Sequence, residues 1–263
     1  MGYGRHLRYH EGMTRPFQGP FWLGRHPEAP FPPVEYALEE PNGLLALGGD
    51  LSLPRLLNAY RRGIFPWYSA GQPILWWSPN PRLVLPPGEI RISRSLRKRL
   101  RQRPFEIRFD TAFVEVLAGC AAPRPGDTGT WLLPEMQRAY AALHRAGWAH
   151  SVEAWQQDRL VGGLYGVALG GVFFGESMFS RVSDASKVAL VHLAVWLLEQ
   201  GFRLIDCQVR TEHLVRLGAR EIPRPAFIAA IGEEVLPPGP WTVPEGFAEH
   251  VLEWVEARRR KSP

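Results

Sequence analysis

The predicted strand 203–209 carries two polar side chains that could do chemistry inside an otherwise apolar segment. Because successive strand residues point to opposite faces, Asp206 and Gln208 are predicted to share one face and Cys207 to lie on the other. An acid and an amide on a buried face are costly unless each finds a partner. A catalytic pair and a structural hydrogen-bond network both fit this pattern, whereas Cys207 is expected to be a core residue.

A single acid, Glu176, lies among aromatic residues in a second segment of interest. It belongs to a predicted hairpin of two strands, 159–169 and 172–179, and residues 161–175 of this hairpin carry no charge. The hairpin is therefore expected to be buried. A carboxylate in such a place needs a partner or a raised pKa, and catalytic and structural roles fit about equally well.

Aromatic residues and arginines alternate in the loop 60–68, which holds Tyr60, Phe65 and Trp67. Aromatic rings can stack on nucleotide bases, and guanidinium groups can hold phosphates. A small aromatic core that pins the loops together is the alternative interpretation. Both hold if the rings form the wall of a pocket.

A predicted helix, 93–102, has a narrow apolar stripe and otherwise basic faces. The surrounding run 91–108 holds eight basic residues and a single acid, Glu106. So many charges of one sign repel each other, which modestly favours a polyanionic partner over a merely solvated surface. The basic side chains proposed to contact it are Arg94, Arg97, Lys98 and Arg101.

The elements that position these residues predict an α+β fold. Strands and helices alternate from about residue 105, and an apolar helix, 184–200, precedes the strand 203–209. The upstream segment is rich in Pro and Gly turns. The predicted division is an N-terminal arm expected to be flexible, a small loop-rich domain and a larger mixed-sheet domain, at 1–30, 31–90 and 91–263.

The composition is that of a globular protein of 263 residues, 45% hydrophobic and 22% charged, with a formal net charge of +5. The two cysteines, Cys120 and Cys207, form neither a disulfide framework nor a zinc motif, which favours a reducing compartment. Neither a secretory signal nor an apolar stretch long enough to span a bilayer is evident. We therefore expect a cytoplasmic protein with no membrane partner.

Several common catalytic motifs are absent from the chain. There is no phosphate-binding loop, no dinucleotide fingerprint, no metalloprotease motif and no nucleophile elbow. No cofactor and no metal are therefore predicted, and the substrate is expected to arrive already activated.

Five blocks of sequence closely resemble the leucyl/phenylalanyl-tRNA–protein transferases, in the same order along the chain. They are PNGLLALGGDL at 41–51, RGIFPW at 62–67, LWWSP at 75–79, GESMFS at 175–180 and LIDCQ at 204–208. The resemblance extends from about residue 31 to residue 230. It implies an aminoacyltransferase that moves Leu, Phe or Met from aminoacyl-tRNA to the N-terminal Arg or Lys of a protein and so marks that protein for degradation by the N-end rule. It also implies an acetyltransferase-like (GNAT-like) C-terminal domain after a smaller N-terminal domain.

The resemblance also implies roles for individual residues. Asp206 and Gln208 correspond to the catalytic pair. Contacts to the aminoacyl-adenosine end or the acceptor are implied for Tyr60, Phe65, Trp67, Trp131 and Glu176, and the amino-acid pocket is implied to be lined by Leu164, Phe173, Leu190, Leu193, Leu197 and Ile205. Because Phe173 and Glu176 are three residues apart, a regular strand would aim them at opposite faces, so a bulge is expected at Gly175 if both line one site.

Peptide formation from an aminoacyl ester needs no ATP, metal or covalent intermediate. Our hypothesis is that the amide oxygen of Gln208 accepts a hydrogen bond from the attacking amine and that Asp206 orients this amide. Because an amide is too weak a base to remove the proton, positioning is expected to dominate. Asp206 and Glu176 are expected to supply negative charge for the cationic N-terminal residue, and the basic helix to hold acceptor-stem phosphates.

Two alternatives remain at this point. An acyl-CoA N-acetyltransferase is disfavoured because the entry to the helix 184–200 lacks the glycines that cradle a pyrophosphate. A non-catalytic RNA-binding module would explain the basic helix and the aromatic loops. It would leave the polar pair and Glu176 unexplained.

Overall fold

The computed structural model describes residues 20–24, 26–123, 132–232, 237 and 239–259. Within these ranges the strands β1 to β11 are, in order, Phe21–Leu23, Leu44–Gly48, Phe65–Pro66, Leu75–Trp77, Arg82–Leu85, Glu106–Phe109, Ala149–Gln156, Arg159–Leu169, Val172–Ser180, Leu204–Gln208 and Arg220–Ile222. The α-helices α1 to α8 of the same ranges are Leu53–Arg61, Arg94–Gln102, Phe113–Ala121, Pro134–Arg145, Ala185–Glu199, Glu212–Arg216, Arg224–Ile231 and Phe247–Arg259.

The larger sheet has seven strands in the order β11-β5-β10-β9-β8-β7-β6. Its neighbouring strands are antiparallel except for β9 and β10, which are parallel. The predicted α+β class with a mixed sheet is therefore confirmed. The sheet recruits β5 from the predicted loop-rich segment, where no strand was expected.

The smaller sheet has four strands in the order β1-β2-β4-β3. Its first strand lies within the predicted arm, and it pairs in parallel with β2. The other pairs are antiparallel, and β3 and β4 bring Phe65 and Trp76 into the core.

Helices cover both faces of the larger sheet, and each face has its own apolar cluster. One cluster unites α1, α3, α4 and α7 with the small sheet. The other unites α2, α5 and α8. Helix α5 is buried on nearly every side, as its continuous apolar sequence predicts. Asp206 of β10 is fully buried in this sheet.

The helices and strands predicted from periodicity occur within two or three residues of their expected limits, whereas α3 and α7 were missed. The first turn of α3 has no capping side chain of its own at Ala112. Instead, Glu153 on β7 accepts hydrogen bonds from the backbone N–H groups of Thr111 and Ala112. A local sequence pattern cannot reveal a cap that comes from another strand.

None of the helices in the described ranges has the length and apolar character needed to cross a membrane.

Candidate active site

A cavity of about 500 Å³ opens where β9 and β10 part. The parallel ladder between these strands ends at the pair Phe174–Asp206, and beyond it β9 stays paired with β8 alone. A void of this size suits a small ligand or one end of a larger one. Most of its wall is apolar, formed by Leu85, Leu164, Phe173, Met178, Leu190, Leu193 and Ile205.

The structure brings five of the six predicted pocket residues to this cavity. The sixth, Leu197, is fully buried on α5 but is not among the residues that line the cavity. Met178 and Leu85 line it and were not predicted. Both lie on strands, and which strand residues face the cavity depends on the register of the sheet, which the sequence does not show.

The expected bulge in β9 is present. Tyr165 pairs with Ser177, and the next pair along is Gly166 with Gly175, so Glu176 is the extra residue on β9. A Cβ atom on Gly166 would lie 2.2 Å from the carbonyl oxygen of Phe174, so only glycine fits opposite the bulge. The bulge allows Phe173 and Glu176 to line the same cavity.

Glu176 is held by two phenols on helices from different parts of the chain. The hydroxyl of Tyr60 on α1 donates to Oε1 at 2.8 Å, and that of Tyr140 on α4 donates to Oε2 at 2.7 Å. Burial raises the pKa of the Glu176 carboxyl to about 7, and the charge of Asp206 adds to the rise, while the hydrogen bonds from Tyr140, Tyr60 and Gln208 oppose it. Burial also raises the pKa of both phenols, so they remain protonated donors.

Asp206 forms a buried ion pair with Arg82 on β5. The Arg82 Nε donates to Oδ1 at 2.8 Å and Nη2 donates to Oδ2 at 2.6 Å, with both side chains almost fully buried. The remaining nitrogen, Nη1, donates to the carbonyl of Gly63 at 3.1 Å. The guanidinium carbon lies 4.7 Å and 4.5 Å from the ring centres of Phe65 and Phe227. The charge of Asp206 is therefore neutralised inside the protein.

The backbone of Gln208 has a left-handed conformation, and its N–H is bound by Asp206, the acid of this ion pair. Its φ is +61°, and the register between β10 and β5 shifts between Asp206 and Gln208. The Gln208 N–H donates to Oδ1 of Asp206 at 2.9 Å, while its side-chain Nε2 lies 3.4 Å from Oε1 of Glu176. The structure thus differs from the hypothesis that Asp206 orients the amide, because Asp206 holds the backbone of Gln208 and Glu176 holds its side chain.

The alternation predicted for β10 holds as far as Cys207. Leu204 packs in the cluster with α1 and α4, whereas Ile205 and Cys207 pack on the side of α5. Burial raises the pKa of the Cys207 thiol, so it lines the cavity as a neutral group.

The aromatic loop residues occupy different environments. Phe65 is buried against Arg82, and Trp67 is 46% exposed with its ring 5.9 Å from that of Trp77. Trp131 lies outside the described residues.

Two residues of the site, Arg82 and Tyr140, were not predicted from the sequence. The arginine at the start of the apolar run 82–85 was a usable signal, since a buried acid on one strand needs a buried cation on another.

The basic helix α2 forms as predicted. Ser93 caps it, accepting a hydrogen bond from the Leu96 N–H at 3.2 Å. Arg94, Lys98 and Arg101 are exposed. Arg101 is paired with Glu256 through two hydrogen bonds of 2.9 and 2.7 Å. The fourth basic residue, Arg97, is partly buried, and within the described ranges its Nε has no hydrogen-bond partner.

In the ranges that the structure describes, no group of three or more His, Cys, Asp or Glu side chains could hold a metal ion.

Comparisons with known proteins agree with the sequence blocks. Residues 49–80 match the family model described as leucyl/phenylalanyl-tRNA protein transferase N-terminal domain, and residues 84–232 match the model of the leucyl/phenylalanyl-tRNA protein transferase itself. A leucyl/phenylalanyl-tRNA–protein transferase of Aromatoleum aromaticum is 62% identical over 224 residues, covering 84% of this chain and 94% of the relative. Its counterpart in Thiobacillus denitrificans is 63% identical over 215 residues, covering 81% and 94%.

Similarity to solved structures is weak. A GCN5-related N-acetyltransferase from Kribbella flavida is 12% identical, with a TM-score of 0.30 and coverage of 60% of this chain and 56% of that one. L-PGS from Bacillus licheniformis is also 12% identical, with a TM-score of 0.36 and coverage of 72% and 64%.

The family models and the relatives decide between the classes of protein left open by the sequence, because they match an aminoacyltransferase over most of the chain. The chain belongs to the leucyl/phenylalanyl-tRNA–protein transferase family.

Proposed function

We propose that this chain transfers Leu or Phe, and also Met, from aminoacyl-tRNA to the α-amino group of proteins that begin with Arg or Lys. The observation that carries the proposal is the apolar cavity between β9 and β10, which ends on Glu176 and Gln208 in a chain of this family. Its aliphatic and aromatic wall suits an apolar side chain, either aliphatic or aromatic.

In this proposal the aminoacyl ester lies with its side chain in the cavity and its carbonyl carbon near Gln208. The acceptor nitrogen attacks that carbon, a C–N bond forms, and the bond from the carbon to the ribose oxygen breaks. The Gln208 amide oxygen accepts a hydrogen bond from the attacking amine, because its Nε2 is directed to Glu176. Holding both reactants in this geometry supplies much of the rate enhancement.

The negative charge that attracts a basic N-terminal residue comes from Glu176 in this proposal. The sequence predicts a contribution from Asp206 as well, but the Arg82 guanidinium pairs with its carboxylate at 2.6 Å. The adenosine end or the acceptor is proposed to contact Tyr60, which lies next to Glu176, and also Phe65, Trp67 and Trp131.

Helix α2 is proposed to bind phosphates of the tRNA acceptor stem without reading sequence. Arg94 and Lys98 are exposed there, and Arg97 and Arg101 complete the basic surface. The division of the chain at residues 30 and 90 and a cytoplasmic location also stay proposals.

A transfer assay tests this function. Purified protein is mixed with Leu-, Phe- or Met-charged tRNA and with peptides that differ only in their first residue. We expect products with Arg- and Lys-initiated peptides and none with a Glu-initiated peptide. Gln208→Ala is expected to lower the rate at least about tenfold, whereas Gln156→Ala, at the far end of β7, serves as the matched control. Equal transfer to the Glu-initiated peptide, or no transfer from any charged tRNA, would contradict the proposal.

A further inference from the structure

We propose that Glu176 is the general base of the reaction, which takes a proton from the attacking α-amine while Gln208 positions that amine. This inference rests on the proposed function and assigns the proton transfer within the same site.

Asp206 cannot take this role in the folded protein. Its two carboxylate oxygens accept hydrogen bonds from Arg82 at 2.8 and 2.6 Å, and Oδ1 also accepts the Gln208 N–H. Its side chain is fully buried. Both oxygens are therefore engaged by donors of the protein itself.

Glu176 has the geometry that Asp206 lacks. It is the extra residue of the β9 bulge, it lines the cavity, and its Oε1 lies 3.4 Å from Nε2 of Gln208. An amine held by the Gln208 amide oxygen is therefore one short step from a carboxylate. Its other neighbours, Tyr60 and Tyr140, donate hydrogen bonds and carry no positive charge.

The electrostatic surroundings suit a base that works near neutral pH. Burial raises the pKa of Glu176 to about 7, close to the ordinary pKa of about 7.7–8.0 of an α-amino group. Proton transfer is most effective when the two values lie close to each other and to the working pH. Among the charged groups that the structure describes, Asp206 raises the pKa of Glu176, and Asp206 is itself paired with Arg82.

Other titratable side chains at the cavity are less suited to be the base. Burial raises the pKa of Tyr165 and of Cys207, so both stay protonated. His213 lines the cavity from α6, where partial burial and the charges of Lys187 and Arg216 lower its pKa. His213 is an exposed side chain, and among the described hydrogen bonds it makes none to Gln208 or Glu176. His213 is nevertheless the alternative candidate for the base, and an experiment must distinguish it from Glu176.

The proton balance closes without a further reactant. The neutral amine attacks the ester carbon with its lone pair, and one N–H proton passes to a carboxylate oxygen of Glu176. The bond between the carbon and the ribose oxygen then breaks, and the proton passes from Glu176 to that oxygen. The products are an amide and the free ribose hydroxyl, and the carboxylate is restored.

The test is the pH dependence of transfer from pH 5.5 to 9, with Leu-tRNA and an Arg-initiated peptide. Because a protonated carboxyl cannot act as a base, wild-type kcat/KM is expected to rise through about pH 7. Glu176→Gln is expected to lower kcat about 10²-fold or more and to reduce this rise to the part that comes from ionisation of the acceptor amine. His213→Gln is expected to leave the pH at which kcat/KM rises unchanged.

Tyr140→Phe gives a second measurement that a loss of folding cannot imitate. The Tyr140 hydroxyl stabilises the carboxylate form, so its removal is expected to move the rise to higher pH. The matched control is Tyr68→Phe, because the Tyr68 hydroxyl also donates to a glutamate, Glu135, outside the cavity. This control is expected to leave the profile unchanged.

The outcomes separate the two proposals. An inactive wild-type protein would contradict the proposed function itself. An active wild type whose pH profile survives Glu176→Gln, or loses its rise with His213→Gln, would overturn the assignment of the base alone. A loss confined to the KM of the acceptor, with kcat unchanged, would show that Glu176 only seats the cation and would likewise overturn it.

Discussion

Glu153 and Glu176 are two carboxylates of the same sheet whose hydrogen bonds come from very different sources. Glu153 on β7 is fully buried and accepts from the N–H and hydroxyl of Thr111, the N–H of Ala112 and the hydroxyl of Ser151. These donors surround the start of α3. Glu176 accepts from side chains alone, two phenols and an amide, and it borders a cavity.

The difference separates a structural acid from a functional one. Glu153 accepts two backbone N–H groups at the start of α3 and two hydroxyls, and these four hydrogen bonds leave its carboxylate no capacity for a ligand. The bonds of Glu176 come from α1, α4 and β10, and none of them satisfies a helix end or a strand edge. Burial raises the pKa of both carboxyls, so a raised pKa alone does not distinguish them. The source of the hydrogen bonds and access to a cavity do.

Asp206 is a third buried acid, and removal of its partner is expected to have the largest effect on stability. Arg82→Met leaves the Asp206 carboxylate unpaired in the core, and we expect a loss of about 3–5 kcal/mol in the free energy of unfolding. The measurement is urea denaturation followed by tryptophan fluorescence. The double variant Arg82→Met/Asp206→Leu is expected to recover much of this loss, because neither charge remains. Equal losses in the single and double variants would show that packing on Phe65 and Phe227, rather than the charge, decides the stability.

Replacing each glutamate by glutamine sharpens the comparison, because the two changes are expected to have opposite signs at pH 8. In the folded protein Glu176 stays protonated up to about pH 7, whereas in the unfolded chain it ionises near 4.5. Its contribution therefore lowers stability as pH rises between these values, by roughly 3 kcal/mol at most. Glu176→Gln is expected to stabilise the protein at pH 8 and to be nearly neutral at pH 4, because the phenols can turn to accept as well as donate.

Glu153→Gln is expected to destabilise by about 1–3 kcal/mol, because an amide cannot accept all four hydrogen bonds of Glu153. The measurement for both variants is denaturation at pH 4 and pH 8, with Glu115→Gln on the exposed face of α3 as the control. Destabilisation of the same size by both substitutions at pH 8 would remove the distinction between the two acids.

On α2, too, some charged side chains are paired within the protein and others are not. The smallest of the expected effects is the one on tRNA binding by this helix. Arg101 is paired with Glu256, whereas in the described ranges Arg94 and Lys98 form no ion pair. Replacing Arg94 and Lys98 by Gln is expected to weaken tRNA binding and to reduce the slope of log affinity against log salt by about 1–2. Arg101→Gln is expected to change it less. Binding at several salt concentrations measures this, and a larger change with Arg101→Gln would contradict the phosphate-binding role of the open face.

Much of this protein was determined by the sequence alone, because the signals involved are local. The periodicity of apolar residues located most helices and strands from α2 onward, and alternation placed Asp206 and Cys207 on opposite faces of β10. The spacing of Phe173 and Glu176 predicted a bulge in β9 on the condition that both residues line one site, and the register of β8 and β9 contains it. The five sequence blocks identified the family.

The tertiary structure alone decided how the charges are satisfied. Arg82 and Asp206 are 124 residues apart, and Tyr60 and Glu176 are 116 residues apart. Their pairing depends on which strands become neighbours and in what register. The same holds for α3, whose capping acid arrives from β7. A sequence pattern shows that a buried charge needs a partner, because desolvation is costly wherever the residue lies, but the identity of the partner follows only from the packing of distant segments.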